Sequence, residues 1–266
     1  MKKPQAAALI TKVREESPLV FNITNTVVTN FTANGLLATG ASPVMAYARE
    51  EAADMAQIAG ALVLNIGTLT NEVVEAMLIA GKAANDMNIP VILDPVGAGA
   101  TPYRTSTARR ILKEVDVQFI RGNAAEIANI AGKTWAIKGV DATKDAGNKA
   151  VLAQKVATMF GSTVVVTGAV DTITNGTTTI NLTNGHQVLT KVTGTGCLLS
   201  SILGAFAAVE ADSILAATGA LSFFSVASEK AAELTGGNRP GSFQIELLNQ
   251  LALITPEEIQ QAIRLN

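Results

Sequence analysis

Six short apolar runs of strand character recur up to Ala169: LVFNIT (Leu19–Thr24), SPVMAY (Ser42–Tyr47), ALVLNIG (Ala61–Gly67), PVILDPV (Pro90–Val96), VQFIRG (Val117–Gly122) and STVVVTGA (Ser162–Ala169). Stretches of helical pattern separate them, among them Glu50–Ile58, Glu72–Met87, Thr105–Glu114 and Asn148–Phe160. This alternation leaves few folds open. Strands apolar on both faces, joined by helical crossovers, form a mainly parallel sheet with helices on both sides, because a right-handed crossover packs back onto a twisted sheet only that way. After Ala169 the pattern changes to DTITNGTTTINLTNGHQVLTKV, where Asn175-Gly176 and Asn184-Gly185 each sit between β-prone segments and predict antiparallel hairpins at one edge. The C-terminal third is helical, and Thr255, Pro256 and Glu258 supply the N-cap, first-turn proline and capping-box acid of the last helix. With no linker, repeat or low-complexity tract, residues 1–266 read as one domain.

Composition narrows the function classes. Charged residues are 16% of the 266 and the formal net charge is −2, so there is no electrostatic footprint for nucleic acid or an anionic membrane. One histidine removes the common zinc ligand sets, and one cysteine removes an intramolecular disulfide, which suits a reducing cytoplasm. The N-terminal apolar run is interrupted by Lys12 and Arg14 and reads as an amphipathic helix rather than a signal peptide. The longest apolar helical tracts, Cys197–Val209 and Ser213–Ala227, are shorter than the roughly 18 to 20 residues of a membrane span. Small-molecule partners are expected. A mean hydropathy of +0.32 points to helix faces buried between subunits, hence a homo-oligomer.

In an open α/β sheet, ligands gather beyond the carboxyl ends of the strands, so the residues there carry the chemistry. KVTGTGCLLSS (Lys191–Ser201) reads as a glycine-rich turn leaving a strand and opening into an apolar helix. Gly194 and Gly196 let backbone amides approach a phosphate at the helix start, and Cys197 lies in the first turn, where the helix dipole favours partial thiolate. VILDPVGAGAT ends a strand on Asp94, a carboxylate placed to hold a cation or its waters. In FIRGNAAEIANIAG, Arg121 sits at a strand end as a phosphate contact, while Asn123 and Glu126 have the spacing of a capping box, which needs no ligand. VVVTGAVD brings Thr167 and Gly168 to another strand end, with Asp171 as a turn residue. Near the N-terminus, Asn22 and Asn25 offer polar hooks, and Val27, Pro43 and Met45 offer apolar lining for a small ring.

Two motifs fail on spacing. Gly132-Lys133-Thr134 ends like a Walker A loop, but Ile127 stands where its first glycine belongs. Leu199 occupies the third glycine position of a dinucleotide fingerprint begun at Gly194. His186 reads as a solvated strand residue, and no triad can be built on it.

Taken together, NITN, ILDPVGAG, the Arg121–Glu126 run, VVVTG and GTGC resemble hydroxyethylthiazole kinases, members of the ribokinase-like superfamily, in order along nearly the whole chain. The resemblance implies ATP-dependent, Mg²⁺-requiring phosphorylation of the alcohol of 4-methyl-5-(2-hydroxyethyl)thiazole in thiamine salvage, by a cytoplasmic homotrimer with sites at subunit boundaries. It implies thiazole-pocket roles for Asn25 and Met45, with Val27 beside them, and a backbone contact from Gly194. It further implies ATP-phosphate contacts from Arg121 and Thr167, flanked by Gly168 and Asn123, and Mg²⁺ organised by Asp94 and Glu126. Cys197 stands where many ribokinase-like enzymes carry an aspartate base. Because the transition state for phosphoryl transfer is loose, positioning and charge stabilisation matter more than a strong base. Two alternatives stay open: a kinase of the same fold acting on a pyrimidine or pyridoxal-type alcohol, and a thiazole- or nucleotide-binding module without catalysis.

Overall fold

The computed structural model describes residues 3–132 and 146–266, with side chains from Lys149 onward in the second stretch. Lys133 and Thr134 of the Walker-like tripeptide lie outside the described residues. Alternating elements run α1 (Lys3–Glu16), β1 (Leu19–Ile23), α2 (Thr29–Thr39), β2 (Ser42–Met45), α3 (Ala52–Ile58), β3 (Ala61–Asn65), α4 (Asn71–Asp86), β4 (Val91–Asp94), α5 (Pro102–Glu114), β5 (Phe119–Asn123) and α6 (Ala124–Ile130). They continue with α7 (Ala146–Phe160), β6 (Thr163–Thr167), β7 (Asp171–Thr174), β8 (Thr179–Leu182), a 3-10 turn (Gln187–Lys191), α8 (Thr195–Val209), α9 (Ser213–Leu234), α10 (Pro240–Leu253) and α11 (Pro256–Ala262).

Among the described residues, eight strands form one sheet in the order β2-β1-β3-β4-β5-β6-β7-β8. β1 to β6 are mutually parallel, and β7 and β8 add antiparallel at one edge. Successive strand residues point to opposite faces, so each apolar run feeds two cores. Val20, Val63, Ile92, Phe119 and Val165 join the layer with α1, α2 and α8 to α11. Their neighbours Phe21, Leu62, Leu93, Ile120 and Val164 join the layer with α3 to α7. Fully buried side chains of this kind contribute about 1.5 to 3 kcal/mol each, which explains why strands apolar on both faces stay in the middle of the molecule.

Local chemistry sets the element ends. Thr70 and Thr101 cap α4 and α5, accepting from the Val73 and Arg104 amides, and α11 carries the expected Thr255/Glu258 capping box. Two features differ from the sequence reading. The Asn184-Gly185 turn makes no hairpin, because the Asn184 amide donates to Glu229 and to the Ala262 carbonyl, which draws the chain off the sheet into the 3-10 turn. The second antiparallel reversal falls instead at Gly168–Val170, between β6 and β7. No strand leads into the GTGC turn either. The 3-10 turn precedes it, and the Thr195 hydroxyl donates back to the Leu189 and Val192 carbonyls. The β8 edge is covered by the C-terminus, where Asn181 and Asn266 exchange two backbone hydrogen bonds of 2.9 Å each.

Candidate active site

The parallel register brings the carboxyl ends of β3 to β6 into line, with Asn65 opposite Asp94 and Asn123 opposite Thr167. Above these tips sits the start of α8. Gly194 precedes it with φ of 89°, and a Cβ there would lie 2.6 Å from Val28 Cγ1, so both conformation and space demand glycine. Leu198 N–H closes the first turn on the Gly194 carbonyl at 2.8 Å, which leaves the Thr195, Gly196 and Cys197 amides as the helix's free donors.

Arg121 reaches up from β5 to this helix start. A Cβ on Gly196 would lie 2.7 Å from Arg121 Nη1, so the guanidinium lies against the first turn of α8. Arg121 Nη2 donates to Thr167 Oγ1 at 2.9 Å, Nη1 stands 3.6 Å from Asp94 Oδ2, and Nε is buried without a partner among the described residues. The sequence reading placed Arg121, Thr167, Gly194 and Gly196 at one site, and the structure brings them together.

Asp94 is fully buried at the β4 tip. Its Oδ2 accepts from Ser200 Oγ at 2.7 Å and Asn65 Nδ2 at 3.0 Å, whereas Oδ1 has no partner among the described residues. Burial pushes its carboxyl up to about 6; Arg121 and Ser200 oppose the rise and the Glu126 charge adds to it. Asn65 and Ser200 were not singled out in the sequence, although an asparagine closing the apolar run ALVLN was a usable signal. Ser200 follows Gly196 by four residues on α8, hence on the same helical face.

Asn123 and Glu126 form the full capping box. The Asn123 side chain accepts from Glu126 N–H, and Glu126 Oε2 accepts from Asn123 N–H at 2.9 Å. Glu126 also spans to the other loop, its Oε1 accepting from Gly97 N–H at 2.8 Å. Arg104, which the sequence reading passed over, ties the β3 and β4 loops by donating to the Ile66, Val96 and Gly67 carbonyls.

Several expectations need correcting. Cys197 is buried, and burial together with the Asp94 charge pushes its thiol up to about 11, so helix-start thiolate does not form at neutral pH. Asn22 is no hook: it is fully buried, donating to the Val20 carbonyl and accepting from Ser201 Oγ at 2.6 Å. Asp171 is more than a turn residue. It is buried, accepts from Gly168 N–H at 2.9 Å, and burial pushes its carboxyl up to about 6 against the Gly168 bond and the charges of Arg121 and Lys149. His186 is not in a strand; it caps the 3-10 turn, its Nδ1 accepting from Val188 N–H at 3.2 Å.

Two hollows border this centre. A cleft of about 600 Å³ runs from Arg121, Thr167 and Gly196 past Gly168 to His186 and Thr190. A smaller one, about 310 Å³, lies beyond Gly194 between Val27, Phe31, Thr193 and Gln244. Asn25 borders that side: it accepts from Val27 N–H at 2.9 Å and covers Gly67, whose Cβ would lie 2.6 Å from Asn25 Nδ2. Val27 is 70% exposed, and Pro43 and Met45 on β2 are half-buried.

The chain has counterparts among known proteins. The model of the hydroxyethylthiazole kinase family matches residues 10–257. The hydroxyethylthiazole kinase structure from Pyrococcus horikoshii is 41% identical, with 98% of each chain covered and a TM-score of 0.90. A ribokinase-like superfamily protein from Enterococcus faecalis superimposes at a TM-score of 0.64 with 14% identity, covering 88% of this chain and 86% of its own. The ADP complex of Bacillus subtilis pyridoxal kinase does so at 0.59 with 16% identity, covering 80% and 92%. The latter two share the fold.

Proposed function

Since the chain belongs to the hydroxyethylthiazole kinase family, we propose that it carries out the family's reaction at the centre described above. It is a ribokinase-like kinase that transfers the γ-phosphoryl group of ATP to the hydroxyl of 4-methyl-5-(2-hydroxyethyl)thiazole, in thiamine salvage.

One observation carries the assignment of the site. The Arg121 guanidinium lies against the positive end of α8, and the carboxylate nearest to it, Asp94, stands 3.6 Å away and already accepts two other hydrogen bonds. Two positive features turned towards each other are stable together when an anion sits between them. A terminal phosphate meets that need: the Thr195 to Cys197 amides and Arg121 donate to its equatorial oxygens, where charge is held during transfer. Thr167 holds the guanidinium in place, with Gly168 and Asn123 beside the rest of the triphosphate.

Mg²⁺ fits these residues. Asp94 Oδ1 is buried and unpartnered, and Glu126 lies near enough for its charge to raise the Asp94 pKa. Mg²⁺ keeps several of its waters and is bound by one or two carboxylates, which these two residues can supply, and by phosphate oxygens. Bound there, Mg²⁺ would neutralise phosphate charge. Asp94 and Glu126 are the residues that would hold it, while Ser200 and Asn65 keep the second Asp94 oxygen turned away.

The alcohol enters from the Asn25, Val27 and Met45 side and meets the phosphate over Gly194. Its hydroxyl proton need not leave early in a loose transition state, so a neutral Cys197 is compatible with turnover. The exposure of Val27 supports completion of this side by a second chain, in keeping with a homotrimer. We read residues 1–266 as one kinase domain acting in the cytoplasm, where the single, free cysteine stays reduced.

The test is incubation of purified protein with Mg·ATP and a panel of ring alcohols, following ADP and phosphorylated product. Phosphorylated thiazole alcohol supports the assignment. Preferential turnover of a pyrimidine or pyridoxal-type alcohol moves the substrate, and binding without ADP release makes the chain a binding module.

A further inference from the structure

The larger cleft continues past the phosphate-binding tips, and the corner Asn184-Gly185-His186 forms part of its lining. β8 runs antiparallel to β7 and β7 to β6, so β8 ends on the same edge of the sheet as Thr167. Two strand spacings of about 4.8 Å separate those ends. A nucleotide whose terminal phosphates rest on Arg121 and the start of α8 has room in this cleft for its base over β7, towards His186.

This corner is held with unusual completeness for an edge loop. Glu229 of α9 accepts from Gly185 N–H at 2.8 Å through Oε1 and from Asn184 Nδ2 at 2.9 Å through Oε2. Asn184 Nδ2 also donates to the Ala262 carbonyl at 3.0 Å, and its Oδ1 accepts from Arg264 N–H at 2.7 Å. The Arg264 side chain closes the ring on both Glu229 oxygens and on the Thr183 carbonyl. His186 is then fixed through Nδ1, which accepts from Val188 N–H, and its Cε1–Nε2 edge lies against Gly237. The phosphate chemistry uses none of these groups.

We propose that Glu229, Asn184 and Arg264 are positioning residues that hold the Gly185-His186 corner as the wall on which the nucleotide base rests, so that His186 sets the preference for ATP over pyrimidine triphosphates. A flat ring at the mouth of a cleft lined by Leu199 and Phe224 offers a purine more contact than a pyrimidine. The inference rests on the larger cleft being the nucleotide site.

The experiment is a double-mutant cycle of His186→Ala and Glu229→Ala, with Arg264→Met as a milder break in the ring. Binding of Mg·AMP-PNP is read by calorimetry, and KM for ATP, CTP and the thiazole alcohol by steady-state kinetics. Base stacking removed by alanine substitution weakens binding by about five- to 150-fold, so His186→Ala raises Kd and the KM for ATP within that range. Its kcat at saturating ATP and its KM for the alcohol stay unchanged, and the discrimination against CTP shrinks. Glu229→Ala and Arg264→Met have the same selective effect, smaller, and adding Glu229→Ala to His186→Ala costs less than twofold more, because one acts through the other. Fully additive effects, or equal loss of kcat and both KM values, overturn the proposal. Failure of the wild-type protein itself to bind Mg·AMP-PNP defeats the kinase reading and the proposal with it, whereas tight binding by wild type and all three variants alike defeats only the proposal.

Discussion

At the tips of β3 to β6 and the start of α6, Asn65, Asp94, Arg121, Glu126 and Thr167 are each held by another group of the same chain. At the tip of β1 and the start of α2, by contrast, the Asn25 side chain turns back on its own loop and Val27 stands 70% exposed. The first region resembles a finished electrostatic socket; the second is an open margin that one chain leaves uncovered. Charge stabilisation demands donors fixed before the reaction, since reorganisation during transfer would cost part of what they contribute. Recognition of a small apolar ring demands mainly water exclusion, which a neighbouring subunit can supply.

The contrast can be broken most directly at Asp94. Asp94→Asn keeps the hydrogen-bond geometry and removes the charge, and we expect kcat to fall by about a thousandfold, on the order of 4 kcal/mol, with the melting temperature held. Folded Asp94→Asn protein with near-normal turnover would remove the acidic group from the account. Next is Arg121→Ala, which loses about 2 to 4 kcal/mol of charge stabilisation in kcat/KM and little in stability. If melting temperature and soluble yield fall in step with activity, Arg121 is a structural residue.

Val27→Asp probes the other region. It should raise KM for the thiazole alcohol several-fold and weaken subunit association while Mg·ATP affinity is unchanged; sedimentation and initial-rate measurements report the two halves separately. An unchanged assembly and KM would mean that this margin faces water in the working enzyme.

Cys197 sharpens the distinction between positioning and base catalysis. A general base contributes about a hundredfold or more, so a thiol held neutral at pH 7 predicts less than a tenfold loss in kcat for Cys197→Ala. Cys197→Asp preserves or increases turnover by placing at the same point a carboxyl that ionises far more readily than the thiol, and a folded but inactive Asp variant would count against this view.

The smallest effect concerns Asp171. Its folded pKa of about 6 lies above the ordinary 3.8, so the folded state holds the proton more tightly and stability falls as pH rises from about 4 to about 6. Arg121, Lys149 and the Gly168 amide face this carboxyl and limit the fall. Asp171→Asn should flatten that part of the melting temperature profile, which Asp94 keeps from vanishing; an identical profile would show that Asp171 stays ionised.

The layered sheet was legible because Val20-Phe21, Leu62-Val63 and Ile92-Leu93 place apolar groups on both faces, a pattern few other folds require. The phosphate end was legible for a related reason: glycines at Gly194 and Gly196, and polar residues closing apolar runs at Asp94 and Thr167, mark where backbone and charge meet at strand ends. What stayed hidden depends on contacts distant in sequence. Ser200 meets Asp94 across 106 residues and Glu229 meets Asn184 across 45, and no local pattern encodes either. Asn184-Gly185 has a hairpin signature that these tertiary bonds override. Cys197 departs from its local pattern because burial and the Asp94 charge outweigh the acidifying effect of the helix start.

The most direct test is a crystal structure with Mg·AMP-PNP bound. The account predicts the γ-phosphate on the Thr195 to Cys197 amides, with Arg121 Nη atoms on its oxygens and the cation beside Asp94 Oδ1. A triphosphate seated elsewhere, with side chains filling the space above Gly196, would contradict it.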